Sequence, residues 1–293
     1  MQSKQRKKKI SCKTLLVLLP LFVFLAACST QPKQTGDIYD LRKNAETQFD
    51  LGNKQADRGN YESAFILLKE AQRLAIITDE PSLRIRTALS LGNVLFTLGN
   101  SPEASMEWEA ALDEAQKEGN RELTAVSRIH LARYRLLSNL SPAGTVREEV
   151  NRELANIKSD ELYIAFGWMV IGLAEGSSGR YAEAEAAFKR SLNIHEKRRY
   201  LEQAAYDWYL IASFRSQAGN PEGALEALTN AIKLDRRVEN SYGLATDWRA
   251  IGDVYNKAGK VEESRVAYLR SARIFRMMGD DEAAQTAETR IRQ

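Results

Sequence analysis

Trp248-Arg249-Ala250-Ile251-Gly252 leads into a break at Gly259-Lys260 and a fresh start at Val261-Glu262-Glu263-Ser264, and the phrase recurs along the chain every 40 residues. Working backwards, the tryptophan returns at Trp208 and Trp168, and the branched aliphatic residue at Ile211, Ile171, Leu131, Leu91 and Leu51. A small residue follows each aliphatic one: Gly252, Ala212, Gly172, Ala132, Gly92 and Gly52. Beyond each break come two further rows, alanine at Ala64, Ala104, Ala184 and Ala224, then bulk at Leu68, Trp108, Phe188, Leu228 and Tyr268. Self-similarity at such a period marks stacked supersecondary units. Small residues let neighbouring helices approach, and large ones fill the seams between them.

The breaks define the unit. Gly59-Asn60, Gly99-Asn100, Gly179-Arg180, Gly219-Asn220 and Gly259-Lys260 keep the 40-residue spacing, while Gly119-Asn120 and Gly279-Asp280 fall 20 residues out of phase. Glycine after a helix end, with Asn or Pro at the next start, is the asymmetry that capping favours. Pro81, Pro102, Pro142 and Pro221 all fall at such starts, and Asn139-Leu140-Ser141-Pro142 stands where one glycine is missing. The unit is thus two helices of about 17 residues each, joined by short turns. A helix pair cannot bury its apolar stripe alone, so stacking must supply the core.

With Trp248-Arg249-Ala250-Ile251-Gly252 followed by the turn at Gly259, the chain resembles the tetratricopeptide repeat family over about residues 40–293. The resemblance implies an all-α fold, a TPR-like α-solenoid of about six helix pairs plus a C-terminal capping helix beginning near Asp280. Departures are clear. The unit has 40 residues where the family's usual one has about 34, and the proline that usually closes each repeat is absent. The third repeat is degenerate, with Arg128 in the tryptophan row, Gly144 in the alanine row and Glu148 in the bulky row.

The N-terminus carries a different message. Lys7-Lys8-Lys9 precede the apolar stretch Leu15–Leu25, interrupted by Pro20, and Leu25-Ala26-Ala27-Cys28 closes it. That is secretory signal architecture, too short for an ordinary span, and it resembles a bacterial lipoprotein signal. The resemblance implies a signal peptide over 1–27, lipid attachment at Cys28, a flexible linker over 28–39 and a superhelical domain over 40–293. The expected location is a bacterial membrane, lipid-anchored and extracytoplasmic, with Ser29 pointing to the outer membrane in a Gram-negative cell. Six of the 42 Lys and Arg residues fall within 1–27, leaving 36 against 39 acids. Such a balance carries no electrostatic footprint for nucleic acid.

Chemistry is sparse. Both cysteines, Cys12 and Cys28, belong to the N-terminal segment, and His130 and His195 stand alone without metal-ligand spacing. No phosphate loop, nucleophile elbow or zinc motif occurs, so we expect no enzyme and no cofactor. The expected function is a membrane-anchored scaffold that binds a protein or peptide in its concave groove. First-helix residues flanking the tryptophan row then form that groove: Asn53, Leu89, Asn93, Phe96, Ile129, Arg133, Phe166, Met169, Leu173, Tyr206, Tyr209, Arg249 and Asn256. The competing reading of these positions is packing between helices. Asn53 and Asn93 repeat the triplet Leu-Gly-Asn; such amides could clamp a peptide backbone or bond a local backbone group. Tyr163–Ala174 is apolar almost all round, so either neighbouring helices cover both faces or one face is a docking surface. Alternatives to the scaffold are a carrier of an apolar small ligand or lipid beside a transport system, and a structural part of a pilus or outer-membrane assembly machine.

Overall fold

The computed structural model describes residues 37–292, so Cys28, the signal and most of the linker lie outside the described residues. The solenoid is the compact unit that begins at Leu41. Thirteen α-helices are described: α1 (Asp37–Asp57), α2 (Tyr61–Ile77), α3 (Pro81–Thr97), α4 (Ser101–Lys117), α5 (Arg121–Leu137), α6 (Ala143–Leu154), α7 (Glu161–Ser177), α8 (Tyr181–Arg198), α9 (Leu201–Gln217), α10 (Pro221–Arg237), α11 (Ser241–Lys257), α12 (Val261–Met278) and α13 (Asp281–Thr289), with a closing 3-10 turn at Arg290–Arg292. These are six pairs and a terminal helix, as the spacing predicts. Helix α1 begins at Asp37, inside the stretch assigned to the linker. No described helix is long and apolar enough to cross a membrane.

In four repeats the glycine of the first helix sits directly on the bulky residue of its partner helix. A methyl group on Gly52 would fall 2.7 Å from Leu68, one on Gly172 2.5 Å from Phe188, and one on Gly252 2.5 Å from Tyr268. Gly92 is covered in the same way by the Trp108 indole, whose Nε1 donates to the Leu89 carbonyl at 3.1 Å. In the fifth repeat the corresponding Ala212 and Leu228 are both buried in one cluster. The tryptophan row is only half buried, and arginines of the second helices cover two of its three members: Arg190 lies 4.3 Å over Trp168 and Arg270 4.5 Å over Trp248.

The turns keep a finer period than the glycines suggest. Left-handed residues occur at Gly59, Asp79, Gly99, Gly119, Asn139, Gly179, Arg199, Gly219, Glu239, Gly259 and Gly279, one every 20 residues except between α6 and α7. Arg199 (φ 62) and Glu239 (φ 58) hold a conformation that costs a non-glycine residue about 1–2 kcal/mol.

The third repeat corrects the row assignments. Helix α6 starts two residues late, at Ala143, and its buried pair is Val146 and Val150, both 0% exposed. Gly144 and Glu148 therefore do not hold the alanine and bulky positions; the slip hands those positions to the two valines. The short α6 leaves a gap before α7, which Glu122 of α5 bridges. Its Oε1 accepts from the backbone N–H groups of Lys158 (3.1 Å), Ser159 (2.9 Å) and Asp160 (3.2 Å), and Oε2 takes the Ser159 hydroxyl. Burial would raise the Glu122 pKa, but these bonds together hold it below the usual carboxylate range.

One large cluster runs through α3 to α7 and another through α8 to α12. Met169 and Leu173 of α7 pack against both. Helix α7 is thus enclosed by its neighbours, with none of its large apolar side chains among the exposed ones. Packing against neighbouring helices accounts for much of its all-round apolarity, while Tyr163, Ile164, Phe166, Trp168, Met169 and Leu173 stay half buried.

Candidate binding groove and closing pocket

The first helix of each pair faces inwards, and the sequence-expected residues separate by depth. Leu89 and Ile129 do not reach the groove: they are 3% and 0% exposed, sealed in the seams by neighbouring helices. Met169 and Leu173, half buried, mainly join the two core clusters. Asn53 and Asn93 line a common cavity of about 160 Å³ with Asp57, Tyr61 and Thr97. Their roles differ. The Asn53 Nδ2 group donates to the Phe49 carbonyl at 3.0 Å, the local backbone bond that competed with a clamp reading.

Asn93 reaches to the first helix of the next repeat instead. Its Oδ1 accepts from Arg133 Nη1 at 3.0 Å and lies 3.2 Å from His130 Nδ1. The Arg133 guanidinium stands 6.0 Å from the Phe96 ring centre and 5.9 Å from that of Phe166. His130 stacks on Phe166, centroids 4.2 Å apart, with Trp108 on its other side at 6.1 Å. Burial, reinforced by Arg133, drives the His130 pKa well below its ordinary value, so the ring is neutral. Burial also lowers the Arg133 pKa, and no carboxylate among the described residues pairs with it. The result is an amide-held cation framed by two aromatic rings.

The far end of the groove is shared by distant repeats. Gln203 Nε2 of α9 donates to Asp57 Oδ2 at 2.9 Å. Tyr61 meets Tyr242 edge-on, centroids 6.0 Å apart, and the Tyr242 ring covers Gly59. Within the solenoid, the superhelix therefore turns far enough for the first repeat to touch the fifth and sixth. A cavity of about 450 Å³ opens at this contact, with Asp57 and Tyr61 on one side and Glu202, Tyr206, Tyr209, Asp235, Tyr242, Asp247 and Arg249 on the other. Tyr206 and Tyr209 stack with centroids 6.0 Å apart; Tyr206 keeps half its surface open to water although the walls surround it. Arg249 also lies 5.6 Å over Phe275. Asn256 is exposed and lines a separate shallow cavity with Asp253 and Tyr268.

Two polar pairs lie in equivalent seams, 40 residues apart. His195 Nδ1 sits 2.7 Å from Asp207 Oδ2. In the next repeat those positions are Asp235 and Asp247, 3% and 2% exposed. Burial pushes Asp247 up to about 9, with neighbouring Asp235 adding to it, and pushes Asp235 up to about 7. Asp57 rises to about 6 through burial and then through Glu202. Sequence reasoning missed this acidic set, although the 40-residue spacing of Asp207 and Asp247, and of His195 and Asp235, was available.

The family model of the tetratricopeptide repeat matches residues 167–197, the α7–α8 pair. The fold is a tetratricopeptide-type solenoid. The chain is similar in structure to a Rap protein complexed with competence and sporulation factor, at 15% identity and a TM-score of 0.59, over 85% of this chain and 74% of that one. It is also similar to BtubC from P. vanneervenii (15% identity, TM-score 0.54, 80% and 92% covered). A thermophilic TPR protein of Thermus thermophilus, TTC0263, is similar at 18% identity and a TM-score of 0.53, over 71% of this chain and all of that one. No curated protein matches the chain. At these identities the likeness is one of fold.

Proposed function

We propose that this tetratricopeptide-type solenoid is a non-catalytic scaffold, held to a bacterial membrane by lipid on Cys28, that binds a protein or peptide in its concave groove. The observation that carries the groove reading is Arg133, a cation among aromatic rings with no carboxylate partner in the described chain. A half-buried charge without a partner is costly. An acidic side chain or terminal carboxylate from a partner would offset that cost, with Asn93 holding the guanidinium in place. The fold class suits such work: the Rap protein of like fold is complexed with competence and sporulation factor. For the anchor, the support is the sequence alone, Leu25-Ala26-Ala27-Cys28 behind a cationic start.

Crosslinking and affinity capture from the native envelope test the groove. Arg133→Met should lose the captured partner while keeping the far-ultraviolet circular dichroism of the parent. Capture unchanged by that substitution overturns the Arg133 reading. Mass spectrometry of the mature N-terminus tests the anchor, with an unmodified Cys28 overturning it.

A further inference from the structure

We propose that the cavity between the first repeat and the fifth and sixth is a binding site for an organic ammonium group, adjoining the Arg133 site through Tyr206. Four carboxylates line it, Asp57, Glu202, Asp235 and Asp247, against one cation, Arg249. Among the described residues none of the four makes a salt bridge; Gln203 donates to Asp57, Asn240 donates to Asp235 at 2.9 Å, and the Asp235 and Asp247 carboxyls share a hydrogen bond with each other.

A second observation points to a missing partner. Asp247 is 2% exposed, and apart from the bond its carboxyl shares with Asp235 no amide, hydroxyl or cation reaches its Oδ2; the adjacent Thr246 Oγ1, also on the cavity wall, lacks a partner too. Buried polar atoms are nearly always satisfied, so an unfilled acceptor beside a cavity marks where a donor fits. The remaining wall chemistry narrows the donor. Tyr61, Tyr206, Tyr209 and Tyr242 contribute ring faces and edges, and aromatic faces attract cations within about 6 Å. An alkylammonium group combines a positive charge, several N–H donors and an apolar stem, which matches carboxylates interleaved with tyrosines. The described residues contain no group of three or more His, Cys, Asp or Glu that could hold a metal ion, so an organic cation is the better fit. The raised carboxylate pKa values follow burial first and neighbouring acids second, Glu202 acting on Asp57 and Asp235, and Asp235 on Asp247.

The ammonium can belong to a free polyamine or to a lysine side chain, and two probes distinguish them. Isothermal titration calorimetry of the full-length protein would use spermidine and, separately, N-acetyl-lysine methylamide. We expect saturable binding of at least one probe, weakened about tenfold or more by Glu202→Gln and further by Asp57→Asn with Glu202→Gln. Preference for spermidine assigns a free amine, and preference for the lysine probe assigns a side chain. Tyr206→Leu, at a half-exposed position, supplies a second variant if the Asp57 substitution disturbs folding, and it too should weaken binding. No heat from either probe at millimolar concentration overturns the proposal, as does binding unchanged in both Glu202→Gln and Tyr206→Leu. Displacement of spermidine by equimolar magnesium would overturn it as well, by showing a metal site.

Discussion

Gly92→Ala adds one methyl group where the Trp108 indole already lies. Alanine is intrinsically better than glycine inside a helix by about 0.8–1 kcal/mol. Overpacking of a tight core costs about 1–3 kcal/mol. Neither the indole nor the backbone can easily give way, because Trp108 is 1% exposed and its Nε1 is bonded to the Leu89 carbonyl of the same helix as Gly92. The upper part of the range should apply, for a net loss of about 1–2 kcal/mol. The protein itself suggests the compensating change, since the fifth repeat places Ala212 with Leu228 in these two rows. In a Trp108→Leu background the added methyl should meet only a flexible leucine, which the fifth repeat accommodates beside Ala212, and the helix preference should then make it neutral or stabilising by up to about 1 kcal/mol. Urea titrations of the four proteins, followed by circular dichroism at 222 nm, would give a coupling energy of about 2 kcal/mol in favour of the double variant. Additive effects within about 0.5 kcal/mol would refute the idea that the small and large rows are matched as pairs.

Other tests address separate features. Glu239→Gly, relieving a left-handed non-glycine turn, should raise stability by about 0.5–1 kcal/mol in thermal melts, and Arg199→Gly should do the same. Glu122→Ala removes the acceptor of three backbone N–H groups, so amide hydrogen exchange at Lys158–Asp160 should accelerate and stability should fall by about 1–3 kcal/mol. Asp247 titrates near 9 when folded and near 3.8 as a free side chain, so the folded state binds the extra proton and its stability falls as pH rises between those values. Asp247→Asn should therefore stabilise the fold by an amount that grows from pH 4 to pH 9, by at most about 1.4 kcal/mol per pH unit; a pH-independent difference in melting temperature would contradict this. Glu185, held at about 2 by Arg215 against the opposing effect of burial, with Lys189 assisting, should show the reverse trend. Its contribution is complete above pH 4.5 and disappears towards pH 2, so Glu185→Gln should matter at pH 7 and not at pH 2.

Helix number, pairing and the matched rows were legible in the sequence because each depends on local capping and on contacts within one repeat. Glycine marks a left-handed turn openly, but Asp79, Arg199 and Glu239 adopt the same backbone without the signal residue, and only the 20-residue spacing betrays them. The slip in α6 was hidden because Gly144 and Glu148 occupied the numerically correct positions, whereas burial had moved to Val146 and Val150. At the groove, position in the period identified Asn93, Arg133, Tyr206, Tyr209 and Arg249 as inward-facing. It could not separate them from Leu89 and Ile129, since depth in a seam depends on how closely the next helix approaches. The closing pocket was beyond reach for a different reason. Its walls come from residues as far apart as Asp57 and Arg249, and their meeting reflects rotation accumulated over several repeats.

That meeting also constrains how the chain can change. In an open solenoid an added or deleted unit merely alters the length, and neighbours alone notice it. Here the Asp57–Gln203 bond and the Tyr61–Tyr242 contact require the repeats between them to keep their present number and pitch. One extra copy would carry the two partners past each other, and one fewer would leave them short. Repeat number in this protein is consequently fixed by its geometry, as a toothed gear permits only whole counts that close.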